Sequence, residues 1–181
     1  MNEIENGFQN SISKSIYYAR CLRRLKELGA PLSGWRCVGV ADICDGDPDA
    51  SLFTCELCDC DKVRYVHTMQ HKDYPGDICV GCICAGVMEN DIPAAQERER
   101  VLRNRAKRKS AFLKRKWKQC GDGEWSIQYR GQQLRIEDRK GWFCVFVGKR
   151  STAVYHRRAI RDLSIAYRAV FDMADPPPEV L

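Results

Sequence analysis

Long apolar runs are missing from this sequence. None approaches the roughly 20 residues that a membrane-spanning helix needs, so no membrane partner is expected. A basic leader followed by an apolar stretch is missing too: residues 1–10 are polar and acidic. No signal peptide is therefore expected, a cytoplasmic location is, and the cysteines should be reduced. There is no internal repeat and no extended low-complexity segment. No His-Glu-x2-His occurs, and no His-x-Glu precedes the cysteines, which excludes the metalloprotease and zinc-deaminase patterns. With no nucleophile–base motif either, the chain is expected not to be an enzyme. Acid is locally absent: from Arg100 to Lys118 there is no Asp or Glu.

What is abundant is cysteine, eleven in 181 residues, and basic charge, giving a net +6. The composition, 44% hydrophobic and 30% charged, is that of an ordinary folded chain. The charge is divided unevenly. Residues 1–91 hold nine Lys/Arg and fourteen Asp/Glu, whereas residues 92–181 hold twenty-one and ten. A split of this size points to two modules with different tasks, the second facing a polyanion.

Six cysteines lie between Cys55 and Cys84, with His67 and His71 among them. Cys55-x2-Cys58 and Cys79-x2-Cys82 have the spacing of a tetrahedral metal site, in which each tight turn presents two thiolates along one edge. Cys55 and Cys58 form the first ligand pair. Spacing favours Cys79 and Cys82 for the second, with Cys84 and His71 as competitors. A thioredoxin-like redox pair would need a βαβ context, which is absent, and an iron–sulfur cluster uses the same ligand type. One structural zinc ion is the expectation, because a catalytic site keeps an open position with a carboxylate base, and no His-Glu-x2-His or His-x-Glu arrangement supplies one. Cys21, Cys37, Cys44, Cys120 and Cys144 are scattered and read as packing residues.

Helical spacing of Ile12, Ile16, Ala19, Leu22 and Leu25 predicts a helix over 12–28, ended by Gly29 and Pro31. A strand follows from Trp35, a loop at 45–49, a strand over 63–69 and a turn at Tyr74-Pro-Gly-Asp. Residues 94–118, free of Gly and Pro, predict a long helix with Leu102, Ala106, Leu113 and Trp117 along one side. Strands are predicted at 125–130, 133–138 and 142–147, then a helix over 156–173 and a proline-rich end. The expected organisation is an N-terminal helix (1–33), a zinc-binding module (34–92), a basic helix (93–119), a three-stranded sheet plus helix (120–175) and a disordered tail (176–181). The fold class is α+β.

The run Cys55-Glu-Leu-Cys, Val63-Arg-Tyr-Val-His, His71 and Val80-Gly-Cys-Ile-Cys-Ala-Gly resembles a treble-clef zinc motif of uncharacterised bacterial and phage proteins. That resemblance covers residues 53–90. It implies a knuckle, a hairpin and a helix, with Cys82 and Cys84 completing the site at the helix start. The Cys82-x-Cys84 spacing departs from the usual two-residue gap. Over residues 124–173, Trp142-Phe-Cys-Val-Phe-Val and Ser164-Ile-Ala-Tyr-Arg-Ala-Val-Phe-Asp loosely resemble DNA-binding domains of AP2 type and tyrosine-integrase N-termini, or a double-stranded-RNA-binding domain. The Lys-Lys pair usual in the last of these is absent.

Like charges at i,i+4 oppose helix formation, so a helix this basic suggests a polyanionic ligand. Nucleic acid releases counterions for each phosphate neutralised. The residues expected to contact it are Arg100, Arg103, Arg105, Lys107, Arg108, Lys109, Lys114, Arg115 and Lys118, with Arg130 and Arg135 from the strands. Whether DNA or RNA is bound stays open. Trp125, Trp142, Phe146, Tyr167 and Phe171 read as core. The alternative function is a protein-interaction adaptor or regulator, of anti-defence or antitoxin-like kind, that acts by binding a protein partner.

Overall fold

A computed structural model describes residues 16–45 and 50–178. The predicted start of the first helix, most of the 45–49 loop and the end of the tail lie outside the described residues. The fold is mixed α+β with antiparallel sheets, and its contacts divide it into two units, one reaching Arg103 and one running from Asn104 to Pro178. Helix α3 (Ile92–Leu113) contains that boundary.

The first unit opens with helix α1, which covers 16–27 among the described residues. A three-stranded sheet follows in the order β1 (Arg36–Asp42), β2 (Tyr65–His71), β3 (Tyr74–Val80). The sequence reading placed a turn at Tyr74-Pro-Gly-Asp. The chain instead turns at Lys72-Asp73, and Tyr74 to Val80 forms a strand. Pro75 fits there because β3 is an edge, where a missing N–H breaks no central ladder. Helix α2 (Cys82–Glu89) follows directly and ends in a left-handed cap at Asn90, whose N–H reaches the carbonyls of Gly86 and Val87. Asp91 then starts α3 by accepting the N–H of Ala94 at 2.9 Å. Glu89 joins three elements, accepting the Cys37 N–H at 2.8 Å and pairing with Arg98.

The α2–α3 corner depends on Gly86. A Cβ built there would lie 2.5 Å from the Ile92 Cα, a clash with backbone that no rotamer change relieves. Gly86→Ala is expected to destabilise the first unit by about 1–3 kcal/mol despite alanine's better helix propensity. Chemical denaturation monitored through Trp35 checks this, and an unchanged midpoint would refute the close approach.

The second unit contains a five-stranded meander, β4 (Lys118–Gly121), β5 (Glu124–Tyr129), β6 (Gln132–Asp138), β7 (Phe143–Val147) and β8 (Arg150–Thr152), paired in that order. The three central strands lie where alternation predicts them. The two edges make five strands rather than three. A short hairpin, β9 (Val154–Tyr155) with β10 (Arg158–Ala159), occupies the predicted start of the last helix. Helix α4 (Leu163–Ala174) begins only after Asp162, whose carboxylate accepts the N–H groups of Ser164 and Ile165. Those bonds, the Ser164 hydroxyl first, hold the Asp162 carboxyl below the usual aspartate range.

Helix α4 packs on β6 and β7. Leu134, Ile136, Val145 and Val147 meet Ala166, Val170 and Phe171 in the core. Phe112 joins through ring contacts with Tyr129 at 5.0 Å and Phe171 at 5.2 Å. Pairing puts Arg135 opposite Phe146 on the other face of the sheet. Phe146, read as core from the sequence, is therefore on the side away from α4, and Trp142 is exposed.

Candidate metal centre

Residues 55–60 form a knuckle. Its turn is closed by Cys55 N–H to Cys60 O at 2.8 Å and Asp59 N–H to Cys55 O at 3.1 Å, with Asp59 in the left-handed region at φ 58°. The end of β3 docks on this turn through backbone: Glu56 N–H donates to Cys79 O at 3.2 Å, and the Glu56 carboxylate accepts the Cys79 N–H at 2.8 Å. Gly81 then turns the chain into α2, bringing the first turn of that helix beside the knuckle.

This arrangement brings Cys55, Cys58 and Cys84 together. All three are buried, and their sulfurs lie within 4.8 Å of one another. Zinc–thiolate bonds of about 2.3 Å give a tetrahedron edge of about 3.8 Å, so three facing thiols at this separation fit one metal ion. Backbone N–H groups of Gly81 and Leu57 point at the Cys55 sulfur, which also receives the Cys58 and Cys84 thiols. The Cys58 and Cys84 thiols first, then those N–H groups, pull the Cys55 thiol strongly down. Its bond to Cys55 and burial push the Cys58 thiol up. The Cys84 thiol is also pushed up, first by its bond to the Cys21 thiol and then by Cys55, Cys58 and burial.

Three of the four predicted ligands thus converge, and Cys82 is not in the group. On an α-helix, residues two apart point about 200° away from each other, which turns the Cys82 and Cys84 side chains in different directions. Cys84 is buried, while Cys82 is partly exposed and lines a cavity of about 360 Å³ with Cys58, Cys60 and Cys84, and with Tyr17, Arg64 and Arg103 among the rest. Arg64 is held by Asp42 at 2.8 Å and Arg103 by Glu99. Cys79, an alternate ligand, lies between buried Ile78 and Val80, and strand alternation turns its thiol to the opposite face. His71, the other alternate, sits at the hairpin turn against Trp35, ring centroids 5.4 Å apart, and its Nδ1 accepts the Asp73 N–H at 3.0 Å. His67 is a core residue: burial first, then the Arg98 charge, depresses its pKa, and neither ring nitrogen has a partner in hydrogen-bond geometry among the described residues. Sequence reasoning took Cys21 as a packing residue. It is fully buried on α1, with its Sγ 3.9 Å from the Cys84 carbonyl oxygen.

The predicted phosphate contacts divide into three sets. Arg105 and Lys109 are 4% exposed and turn inward, which corrects their assignment to a surface. Both meet Asp172, at 2.5 and 2.9 Å, and Arg105 Nε also donates to Asp175 O at 2.9 Å. Arg108 forks onto the Asp175 carboxylate at 2.7 and 3.1 Å, with Arg130 at 3.4 Å. The second set is exposed or, for Arg135, half-buried, and is engaged. Arg100 pairs with Glu97 and Arg103 with Glu99 on the helix surface, Arg135 lies 4.4 Å above the Phe146 ring beside Glu137, and Arg115 lies over Tyr129. The third set, Lys107, Lys114 and Lys118, is exposed and has no ionic partner among the described residues, and Lys116 joins it. Arg157, Arg158 and Arg161 precede α4 rather than lying on it.

No protein-family model, curated protein or solved structure matches this chain. Among the described residues no helix is long and apolar enough to cross a membrane.

Proposed function

We propose that this chain is a non-catalytic, zinc-stabilised nucleic-acid-binding protein. The knuckle, hairpin and helix that carry Cys55, Cys58 and Cys84 follow the order a treble-clef resemblance implies, and buried, all-thiol ligands suit a closed structural ion. When bound, the metal supplies cross-linking between the knuckle and α2, and no reaction step is assigned to it.

The observation that carries the nucleic-acid reading is the surface left after internal ion pairing. Lys107, Lys114, Lys116 and Lys118 remain exposed in a stretch with no carboxylate between Arg100 and Gly121. Over residues 104–178 there are eighteen Lys/Arg and seven Asp/Glu, and two of those seven carboxylates, Asp172 and Asp175, are spent on inward or flanking cations. A sequence-tolerant ligand that presents phosphates is the natural complement to such a stripe. The Arg135–Phe146 stack on the sheet face away from α4 adds a surface on which an unpaired base can stack.

Titration of labelled duplex DNA, duplex RNA and single strands across a salt series tests this. Binding should weaken linearly in log salt. The triple substitution Lys107→Gln, Lys114→Gln, Lys118→Gln should shallow the slope by about two to three on duplex DNA. The nucleic acid bound most tightly identifies the ligand class. Failure of every one of these ligands to bind at low salt would sink the reading.

A further inference from the structure

We propose that Cys21 is the fourth ligand of the metal held by Cys55, Cys58 and Cys84, so that the ion clamps the N-terminal helix onto the knuckle. The inference rests on the metal reading above and adds a ligand from outside the cysteine-rich stretch.

Three thiolates leave one tetrahedral position to fill, and a structural site fills it with a protein donor. Three further cysteines approach the cluster. Cys60 and Cys82 are partly exposed and line a cavity that Cys58 and Cys84 also line. Cys21 is fully buried in the same core as the three converging cysteines. Its Sγ lies 3.9 Å from the carbonyl oxygen of Cys84, and its thiol is a hydrogen-bond neighbour of the Cys84 thiol. The Cys21 sulfur lies outside the group of three whose sulfurs are within 4.8 Å of one another, so a bound ion would draw it in toward them.

The helix that carries Cys21 is built to hold it there. Leu25, one turn on, is also fully buried, so the inward stripe of α1 places a small thiol beside α2 and a large aliphatic group beyond it. Cys21 and Cys84 are sixty-three positions apart in sequence. A bond from each to one ion would tie α1 to a knuckle and a helix that lie well downstream in the chain. Four thiolates also make a closed shell with no open position, in keeping with a structural ion.

Loading the full chain with cadmium-113 tests this without any substitution, because scalar coupling from the bound metal reaches only the Hβ protons of ligating cysteines. Correlations from Cys21, Cys55, Cys58 and Cys84 are the expected result. Correlations from Cys82 in place of Cys21, or from three cysteines alone, would overturn the inference and leave the metal reading standing. No bound cadmium would overturn both. As a second measurement, Cys21→Ser should weaken zinc binding by more than the ~10-fold that loss of an outer-shell partner brings, and Cys82→Ser should leave it within about twofold. The reverse order would also overturn the assignment.

Discussion

Stripping the metal from the purified protein should unfold the first unit and leave the second folded. Apparent binding free energies of structural zinc sites are roughly 10–16 kcal/mol, against about 5–15 kcal/mol for the stability of a whole domain. The first unit has a three-stranded sheet and two short helices around a core in which Cys21, Cys55, Cys58 and Cys84 are themselves central. Without an ion, those positions place several thiols in mutual contact with room for one stabilised thiolate, at Cys55. With it, the same sulfurs become ligands. Amide NMR spectra before and after chelation check the expectation: dispersion should collapse for residues before 104, persist for the five-stranded sheet and return on adding zinc. Retained dispersion in both units after complete chelation would show that the metal does not hold the fold. Cys55→Ser should reproduce the chelated spectrum even with zinc present.

The same site sets a pH dependence. The Cys58 and Cys84 thiols are raised, by bonding to Cys55 and to Cys21 respectively before burial, and so are protonated at neutral pH without metal. Binding a divalent ion must release those protons, so affinity should fall as pH falls, with proton release measurable in weakly buffered solution. An ordinary carboxylate site shows no such dependence near neutrality, because no proton is displaced there.

How much of this was legible in the sequence depended on whether the signal was local. The knuckle was legible because Cys55-x2-Cys58 is a turn whose two thiols serve one purpose. The helix around Cys84 was legible as a helix start, but the choice among Cys79, Cys82 and Cys84 was not. It rests on strand alternation turning Cys79 outward and on helical rotation separating Cys82 from Cys84, and both need the element boundaries. Cys21 carried no spacing signal: a cysteine on the inner stripe of a helix looks like any small apolar core residue. The edge strands β4 and β8 escaped because Lys118-Gln-Cys-Gly and Arg150-Ser-Thr lack alternation. Their pairing comes from hairpin turns beside stronger strands. The inner face of α3 escaped for a different reason. Eleven basic residues between Arg98 and Lys118 look uniformly solvated, because the acids that neutralise Arg105, Arg108 and Lys109 come from the far end of the chain.

That long-range neutralisation gives the second large effect. Asp172→Asn should destabilise the second unit by about 3–5 kcal/mol, the usual result of leaving buried charge without its partner. Arg105 and Lys109 are each 4% exposed, and both lie within 3 Å of the Asp172 carboxylate, which also accepts the Tyr155 hydroxyl. Asparagine keeps the shape and one acceptor but removes the charge, so two cations would remain in a space that holds none comfortably. For a unit of this size each kcal/mol moves the melting temperature by roughly 4–8 °C, so a drop of more than about 12 °C in calorimetry is expected. Adding Lys109→Met should recover part of it, because methionine fills the same volume without a charge to strand. A melting temperature unchanged by Asp172→Asn would show that the two cations reach water without the carboxylate. The neighbouring Asp175 adds an acid limb. Burial pushes its carboxyl up, but hydrogen bonds from Arg108 and the charges of Arg108, Arg130 and Arg105 more than offset this and hold it below the ordinary aspartate range. A depressed carboxylate contributes stability that is present above its unfolded value, near pH 4, and is lost as pH falls through the lower folded value. The second unit should therefore lose stability below about pH 4, and Asp175→Asn should flatten that loss. Both substitutions leave Lys107, Lys114 and Lys118 in place. Below the lowered melting point, the salt slope of nucleic-acid binding should then match that of the unaltered protein, which separates charges that build the helix face from charges that face the ligand.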